Sequence, residues 1–371
     1  MSSVATVNAP KLLVMAGGTG GHVFPALAVA KHLADKGWQV RWLGTKDRME
    51  ARLVPQYGFD IDFLDIKGVR GNGKLRKLAA PFKIIRSIIQ AKTVINEFQP
   101  DVVLGMGGFA SGPGGVAAKL SGIPVVLHEQ NAIPGLTNRL LSKIAKKVLC
   151  AFADTFDSSV KHVEVVGNPI RQELVVLGQQ KPLSLANQSH ELKVLVVGGS
   201  LGAKVLNDTL PSALAMLSKQ HLVTVWHQVG KHNVDVVKAS YQQQGQQDSV
   251  NVTEFIDDME AAYRWADVVV CRSGALTVSE LAAVGLPSIL VPYPHAVDDH
   301  QTKNAAVLLQ AGASFLIPQS QMTPQSLAEK LSRLASNRNE LVLMGQQAKG
   351  VAVTDATQRV ADICVSLASK G

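Results

Sequence analysis

Short apolar runs that end in glycine-rich loops recur along the chain. The first run, residues 11–16, opens into GGTGGH (17–22) and then into an alanine- and leucine-rich stretch. This succession is typical of a strand, a tight loop and a helix. The same order begins again at Leu192, where LKVLVV opens into GGSLGA (198–203). The pattern predicts two similar folding units, one after the other.

Two more pairs of segments recur in the same order. PDVVLGMGGFASGPGG (100–115) resembles ADVVVCRSGALTVSE (266–280), and SGIPVVLHEQN (121–131) resembles VGLPSILVPYPH (284–295). The recurrence predicts an α/β protein of two Rossmann-like domains with parallel sheets. Because ligands bind at the carboxyl ends of parallel strands, we expect the two sheets to face each other across a cleft.

The boundary between the domains is expected within residues 168–191. Residues 178–190 are polar, rich in glutamine and interrupted by Pro182, as in an exposed linker or loop. Near the end of the chain, residues 355–368 carry apolar positions at helical spacing. This spacing predicts a helix but does not identify its packing partner.

The composition indicates a folded protein with a sizeable core. Of 371 residues, 46% are hydrophobic and 18% are charged, which argues against disorder, collagen-like repeats and a coiled coil. The formal net charge of +8 predicts an anionic partner: nucleic acid, a phosphorylated metabolite or an anionic lipid surface. Nucleic acid is the weakest of these, because only 5% of residues are aromatic and no recognition motif occurs.

The cysteines and the start of the chain bear on the cellular compartment. Cys150, Cys271 and Cys364 are odd in number and widely spaced, so neither a disulfide framework nor a zinc site is expected. The first residues lack the pattern of a signal peptide, and no apolar run approaches about 18 residues. We therefore expect a cytoplasmic protein that does not span a membrane.

The loop GGTGGH (17–22) is the first candidate for binding chemistry. Its four glycines let the backbone approach a ligand closely, and its N–H groups lie where a helix begins, so phosphate or diphosphate is the expected ligand. A tight turn without a ligand is the alternative. NAD is not expected, because the third glycine of G-x-G-x-x-G and an acidic residue roughly 20 positions onward are missing. His22 is either a general base or a polar residue at the helix start.

The loop and helix start at 272–280 form the second candidate. Its small residues allow a ligand to approach the helix, and Glu280 then has two interpretations. Thr277-x-x-Glu280 matches a capping box, in which the glutamate only satisfies backbone donors. Alternatively, its carboxylate accepts both hydroxyls of a ribose. The spacing alone favours neither role.

Two acidic segments have the composition of a metal site. Asp60-Ile61-Asp62 has D-x-D spacing, but its acids alternate with apolar residues as in a half-buried strand. HAVDDH (295–300) follows two prolines in a predicted loop and lacks strict ligand spacing. Solvated polar residues are the favoured interpretation of both, so no metal site is predicted.

Residues 74–92 combine an apolar stripe with a cationic face. The stripe consists of Leu75, Leu78, Phe82, Ile85 and Ile89. The cations are Lys74, Arg76, Lys77, Lys83, Arg86 and Lys92, with no acid among them. This set favours an amphipathic helix on an anionic membrane surface over a core-facing helix with a solvated basic side, which remains the alternative.

Several of these segments occur together, in order, in one known family. They are GGTGGH, GMGGFASGPG (105–114), HEQN (128–131), GNPIR (167–171), VVGGSLGA (196–203), TEFIDDM (253–259), CRSGALTVSE (271–280) and HQTKNA (300–305). Through these motifs, which span nearly the whole chain, the sequence resembles the MurG family, the bacterial peptidoglycan N-acetylglucosaminyltransferases.

The resemblance implies a GT-B fold with a separate task for each domain. Residues 1–168 would form the acceptor and membrane-association domain, residues 169–354 the UDP-GlcNAc donor domain, and a helix at 355–371 would pack back on the first. The implied reaction is inverting transfer of N-acetylglucosamine from UDP-GlcNAc to the muramyl 4-hydroxyl of lipid I, undecaprenyl-diphospho-MurNAc-pentapeptide. The product would be lipid II, used in peptidoglycan synthesis.

The resemblance also implies a cellular setting. The enzyme would be a peripheral protein on the cytoplasmic face of the bacterial inner membrane. There it would serve cell-wall biogenesis, cell shape and cell division, beside other proteins of cell-wall synthesis.

Carried over by position, the resemblance implies three groups of site residues. The donor would be bound by Thr19, Gly20, Gly21, Asn131, Arg171, Ser200, Ile256, Ala275, Leu276, Thr277, Val278, Ser279, Glu280 and Gln301. The acceptor diphosphate would be bound by Gly18, Gly107, Gly108 and Ser111. Membrane contact would involve Leu75, Leu78, Phe82, Lys83, Ile85 and Arg86.

The implied reaction needs a base for the alcohol and stabilisation of the leaving UDP. His22 is the expected base, because an imidazole titrates near the working pH, and Glu129 is the alternative. Backbone N–H groups and Arg171 would stabilise UDP, so neither a metal nor another cofactor is expected. Two other functions stay open: a UDP-GlcNAc 2-epimerase, and a non-catalytic nucleotide-sugar sensor at the membrane.

Overall fold

The computed structural model describes residues 9–66, 74–181, 191–199, 201–217 and 222–369, with only the backbone of 74–80 and of Val297. The chain forms two compact units. One consists of Met1–Arg171 with Val353–Gly371, and the other of Gln172–Ala352. Each unit is a parallel sheet covered by helices, so the predicted fold class of two Rossmann-like α/β domains is confirmed.

The first unit is built on a parallel sheet. Its strands are β1 (Lys11–Met15), β2 (Gln39–Gly44), β3 (Asp60–Phe63), β4 (Val102–Gly105), β5 (Val125–Glu129), β6 (Lys147–Cys150) and β7 (Val163–Val165). Their order in the described residues is β3-β2-β1-β4-β5-β6-β7. Leu13 is paired with Arg41 of β2 and Val103 of β4, which sets the register at the centre. Helices cover both faces there, which is why β1 and β4 are apolar at nearly every position.

The helices of the first unit follow the strands in turn. They are α1 (Gly20–Ala34), α2 (Met49–Gln56), α3 (Lys74–Phe98), α4 (Ser111–Leu120) and α5 (Leu136–Leu141). The strand order reverses between β1 and β4, and the loops after these two strands are the glycine-rich segments 16–19 and 106–110. Ligands of open parallel sheets bind at such a reversal. The fold therefore places both glycine loops where a ligand is expected.

The second unit repeats this plan. Its strands are β8 (Leu192–Val197), β9 (Val223–Gln228), β10 (Val250–Thr253), β11 (Val268–Cys271), β12 (Ser288–Leu290) and β13 (Ser314–Leu316). In the described part of the chain their order is β10-β9-β8-β11-β12-β13, again all parallel. The reversal lies between β8 and β11, the counterparts of β1 and β4. The duplication predicted from the recurring runs is confirmed.

The helices of the second unit surround this sheet. They are α6 (Gln172–Gln180), α7 (Lys204–Ala215), α8 (Val234–Gln243), α9 (Met259–Trp265), α10 (Ala275–Val284), α11 (His300–Gln310), α12 (Pro324–Ser336) and α13 (Arg338–Gly350). The last helix, α14 (Ala356–Ala368), belongs to the first unit, where it packs against α1. Val360, Ala361 and Cys364 of α14 are fully buried in that core, so the apolar stripe of the C-terminal helix has a specific partner.

The prediction of an exposed linker over residues 178–190 is wrong for the first residues of that range. Gly178 is buried in α6, and a Cβ there would lie 1.9 Å from the Ala283 carbonyl oxygen of α10. The Lys181 ammonium group donates to the carbonyl oxygens of Tyr263 at 2.6 Å and Ala266 at 2.5 Å. The polar composition gave no sign of these contacts, because they are made by a glycine and by the ammonium group of a lysine. Residues 182–190 lie outside the described part of the chain.

Candidate active site

His22 stands in the first turn of α1, directly after the glycine loop of β1. Its Nδ1 lies 3.0 Å from the Gly17 carbonyl oxygen. Because a carbonyl oxygen only accepts, the shared proton is on Nδ1, and Nε2 of the neutral ring keeps its lone pair. A Cβ on Gly107 would lie 3.0 Å from this Nε2, so the ring is beside the loop after β4. The geometry orients Nε2 as a proton acceptor at the strand reversal.

The two glycine loops of the first unit lie in contact. Gly108 has φ +92°, and a Cβ on it would lie 2.6 Å from the Gly17 carbonyl oxygen, so a larger residue would separate the loops. The buried Ser111 hydroxyl lies 2.9 Å from the Met15 carbonyl oxygen and 2.8 Å from that of Gly107. Ser111 therefore joins the two loops.

Some of the predicted diphosphate-binding residues already use their hydrogen-bond donors within the protein, and others do not. The Gly18 N–H donates to Glu50 Oε2 at 2.9 Å, and the Ser111 hydroxyl is engaged between the loops. No described residue accepts a hydrogen bond from the backbone N–H of Gly107 or Gly108. These two N–H groups are the donors of the set that remain for an anion beside His22.

Glu50 is a site residue that the sequence analysis missed. It is fully buried and accepts from the Thr45 N–H at 3.1 Å, from the Thr45 hydroxyl at 2.7 Å and from Gly18. A Cβ on Gly17 would lie 2.3 Å from Glu50 Oε1, which explains that glycine. One carboxylate thus orders the loops after β1 and β2. Nothing near Glu50 in the sequence marks it, because its partners come from distant segments.

Glu129, the alternative base, is occupied by a network of donors. It is 2% exposed at the end of β5, and its oxygens accept from Asn131 N–H, Gly135 N–H and Asn138 Nδ2 at 3.0, 3.0 and 2.9 Å. The side-chain amide of Asn131 donates as well, at 3.2 Å. These bonds hold the carboxylate on the loop that follows β5. The geometry therefore favours His22 over Glu129 as the base.

His128 links the HEQN and GNPIR segments inside the first unit. Its Nε2 donates to the Gly167 carbonyl oxygen at 2.8 Å, and its Nδ1 accepts from Gln130 Nε2 at 3.1 Å. Asn168 Nδ2 in turn donates to the Gln130 carbonyl oxygen at 3.2 Å. Burial lowers the pKa of His128 to about 4, so the ring is neutral at physiological pH. Its role is to hold two loops together.

Acid is expected to destabilise both units through buried histidines. Burial lowers the pKa of His128 to about 4 and that of His227 in β9 to about 3. Imidazoles of the unfolded chain take up protons below about pH 6.5, whereas the folded rings stay neutral until their lower pKa values. The free energy of unfolding therefore falls as the pH drops from about 6.5, by about 3 kcal/mol per histidine at pH 4.

Urea unfolding at pH 7 and pH 4 measures this effect. His128→Gln and His227→Gln proteins are each expected to lose about 3 kcal/mol less stability between the two pH values than the wild type. His295→Gln, at an exposed position, is the control. Equal losses in the wild type and both variants would contradict the assignment.

In the second unit, Gln228 holds together the loops at the carboxyl edge of the sheet through hydrogen bonds. It is 2% exposed, and its Nε2 donates to the carbonyl oxygens of Gly199 and Glu254, both at 3.0 Å. Gly202 has φ +74°, and a Cβ on it would lie 2.0 Å from the Val229 carbonyl oxygen. The GGSLGA loop is therefore held tightly against the loop after β9. The sequence analysis missed Gln228, whose bonds join three strand ends.

The loop between β11 and α10 is fixed through Gln301. The buried Ser273 hydroxyl donates to the Gln301 carbonyl oxygen at 2.8 Å, and Gln301 Oε1 accepts from the Tyr293 N–H at 2.9 Å. Asn304 Nδ2 donates to the Ser273 carbonyl oxygen at 3.3 Å. Within the described chain, no acceptor binds Gln301 Nε2. Its amide protons are thus available at the start of α11.

Glu280 lies in the second turn of α10, beyond the first turn where a capping-box glutamate would stand. The helix is capped by Gly274, so Thr277 is inside the helix and the capping-box interpretation is wrong. Glu280 is 5% exposed, and its Oε2 accepts from the Tyr263 hydroxyl at 3.2 Å. Ribose binding by Glu280 stays a prediction.

The predicted donor residues fall in both units. Those in the first unit are Thr19, Gly20, Gly21, Asn131 and Arg171, whose guanidinium lies 5.6 Å from the centre of the Phe24 ring. Those in the second unit are Ile256, Ala275–Glu280 and Gln301. Ser200 lies outside the described residues. The Ser279 hydroxyl donates to the Ala275 carbonyl oxygen at 3.1 Å, so its proton is used within α10.

The acidic segments are engaged in other contacts or exposed. Asp62 lies in β3, as the alternation predicted, and forms an ion pair with Arg41 at 2.7 Å. His295, Asp298 and Asp299 are exposed around a short 3₁₀ turn. In the described part of the chain, no group of three or more His, Cys, Asp or Glu side chains is placed to hold a metal ion.

Helix α3 carries the predicted membrane-contact residues. Phe82 is 78% and Ile85 55% exposed, and Lys83 and Arg86 are exposed beside them. The core-facing alternative is therefore wrong for Phe82 and Ile85. The side chains of Leu75 and Leu78 lie outside the described part. None of the described helices is long and apolar enough to cross a bilayer.

Comparisons with known proteins agree with this architecture. Residues 12–150 match the glycosyltransferase family 28 N-terminal domain, and residues 193–360 match the family's C-terminal domain. The chain is 78% identical, over 98% of both sequences, to the UDP-N-acetylglucosamine–N-acetylmuramyl-(pentapeptide) pyrophosphoryl-undecaprenol N-acetylglucosamine transferase of Shewanella frigidimarina. The crystal structure of MurG from Acinetobacter baumannii matches with a TM-score of 0.81 and 44% identity, covering 96% of this chain and 99% of that one.

A more distant structure shares the fold alone. The UDP-GlcNAc 2-epimerase of Neisseria meningitidis, solved with UDP-GlcNAc bound, has a TM-score of 0.66 and 16% identity, with 98% of this chain and 100% of that chain covered. The two sheets, their glycine loops and the matching domains define a glycosyltransferase of the GT-B type, family 28. Within this class, the chain belongs to the MurG family of N-acetylglucosamine transferases.

Proposed function

We propose that this protein transfers N-acetylglucosamine from UDP-GlcNAc to the muramyl 4-hydroxyl of lipid I, with inversion, and so forms lipid II. The observation that carries this function is the 78% identity, over 98% of the chain, to a transferase named for that reaction. The contact between His22 and the glycine loop after β4 supports it.

The first unit supplies the acceptor side of the reaction. His22 Nε2 takes the proton of the 4-hydroxyl while the oxygen attacks the anomeric carbon, and the bond from that carbon to the UDP oxygen breaks. A single displacement of this kind inverts the configuration. The Gly107 and Gly108 N–H groups, beside the His22 ring, bind the acceptor diphosphate.

The second unit supplies most of the donor site. Glu280 accepts the ribose hydroxyls, and the first turn of α10 points backbone N–H groups at the diphosphate, since the first N–H groups of a helix have no partner within it. Gln301 Nε2 and the Arg171 guanidinium add donors. These groups stabilise the negative charge of the leaving UDP without a bridging metal.

Helix α3 attaches the protein to the membrane that holds its acceptor. Its exposed Phe82 and Ile85 enter the interface of the bilayer, and Lys83 and Arg86 contact anionic headgroups. The protein then works as a peripheral protein on the cytoplasmic face of the inner membrane, where UDP-GlcNAc is available.

Phe82→Ser/Ile85→Ser protein is expected to bind vesicles of phosphatidylglycerol and phosphatidylethanolamine about 100-fold more weakly than the wild type. The reason is that the variant lacks two large apolar side chains that the wild type transfers from water into the bilayer. Vesicle sedimentation measures this. Leu120→Ser/Leu140→Ser removes two apolar side chains of similar exposure elsewhere on the unit and serves as the control. An equal loss in both double variants would argue against a specific contact.

The function is tested with purified protein, labelled UDP-GlcNAc and a short-chain lipid I analogue, in excess EDTA. Labelled disaccharide lipid and free UDP are expected, and their formation in EDTA would show that no loosely bound divalent ion is required. UDP release without labelled lipid would favour epimerisation or hydrolysis. No reaction after addition of magnesium would favour a non-catalytic sensor.

A further inference from the structure

A cavity of about 570 Å³ opens in the first unit at the carboxyl edge of its sheet. Its walls are the loops after β2, β3 and β4 and the part of α3 that carries Lys83 and Arg86. The cavity thus lies on the ligand-binding edge of the fold, where Phe109 of the glycine loop after β4 forms part of its wall.

The walls of this cavity carry more cations than acids. Lys46, Arg48, Lys83 and Arg86 line it, together with Asp47 and Asp65. Arg86 pairs with Asp65 at 3.4 Å, with both side chains more than half exposed. In the described residues, neither the Lys46 nor the Lys83 ammonium group forms an ion pair. A ligand with more than one negative charge would neutralise this surplus.

Two neighbours of the cavity indicate which anion fits. Phe109 is part of its wall and follows Gly107 and Gly108, and its ring centre lies 5.8 Å from the Arg48 guanidinium. On the other side, Lys83 directly follows the exposed Phe82 in α3. The cavity wall therefore contains a residue of the glycine loop after β4 and a neighbour of the exposed apolar side chains of α3.

We propose that this cavity binds the diphosphate of the acceptor at the end that joins the prenyl chain, with Lys46 and Lys83 as the phosphate-binding cations. The inference rests on the proposed function. The carboxylates of the peptide stem are the other negative charges of lipid I. The diphosphate fits better, because it alone is bonded directly to the prenyl chain, and Lys83 in the cavity wall is next to Phe82 of the proposed membrane contact.

The test compares Lys46→Gln/Lys83→Gln protein with wild type in the absence of membranes. The KM for a short-chain lipid I analogue is expected to rise on the order of 30-fold, with the KM for UDP-GlcNAc unchanged. Neryl diphosphate, which has neither sugar nor peptide, is expected to inhibit the wild type competitively against the acceptor and the variant on the order of 30-fold more weakly. Lys31→Gln/Lys119→Gln, which removes two exposed lysines of α1 and α4, is the matched control.

Three results would overturn the proposal. One is an unchanged acceptor KM in an active double variant, which leaves the transferase function intact. Another is unchanged inhibition by neryl diphosphate with weaker binding of MurNAc-pentapeptide, which would assign the cavity to the peptide carboxylates. The third is an equal effect in the control variant. If the wild type transfers no sugar, the proposed function fails, and direct titration with neryl diphosphate still tests the cavity.

Discussion

Replacing His22 by alanine is expected to lower kcat for transfer to lipid I by about 10³-fold, with little change in the KM for UDP-GlcNAc. The 4-hydroxyl of the acceptor must lose its proton as it attacks. In this structure the Gly17 carbonyl holds the proton on Nδ1 and leaves Nε2 as the acceptor. Alanine removes that acceptor but keeps the helix, since His22 contributes no cap to α1.

Steady-state kinetics with purified wild-type and His22→Ala proteins measure this prediction. His32→Ala, further along α1, is the matched control. A His22→Ala enzyme that keeps more than a tenth of kcat would remove His22 as the base.

Glu129→Gln separates the two candidate bases. Glutamine has one acceptor oxygen where the carboxylate serves four donors, so we expect a less stable first unit. The enzyme that remains folded should keep a kcat close to that of the wild type. A kcat lowered by about 10³-fold in Glu129→Gln protein of normal stability would assign the base to Glu129.

Replacing Glu280 by glutamine is expected to raise the KM for UDP-GlcNAc on the order of 30-fold, because hydrogen bonds to a charged acceptor contribute about 1.5–3 kcal/mol. The carboxylate is buried in α10 and oriented by the Tyr263 hydroxyl. Tyr263→Phe should therefore raise the same KM by several-fold, on the order of 1 kcal/mol, by loosening the carboxylate.

A donor analogue without the ribose 2′- and 3′-hydroxyls distinguishes ribose binding from a structural role of Glu280. The wild type should bind this analogue on the order of 30-fold more weakly than UDP-GlcNAc, whereas Glu280→Gln protein should bind both alike. Parallel losses for both donors in the variant would instead indicate that Glu280 only supports the helix.

Much of the fold follows from local pattern. The apolar runs at 11–16 and 192–197 are strands because a parallel sheet covered on both faces requires apolar residues at every position. The glycine loops after them were predictable for a similar reason. Close approach of two backbones and positive φ values, as at Gly108 and Gly202, restrict the residue itself. The apolar stripe of α3 was predictable as well, because helical spacing groups its members.

The tertiary structure decided which polar groups act on which partners. Glu50 has no local mark, yet it holds two loops whose donors lie elsewhere in the chain. The choice between His22 and Glu129 as the base depends on which group already accepts hydrogen bonds from the protein. The capping role of Glu280 could be excluded only once the start of its helix was known. Residue type and spacing are properties of the sequence by itself, so they determined the strands, the loops and the duplication. Burial and hydrogen-bond occupancy arise only when distant segments meet, so only the folded chain assigns them.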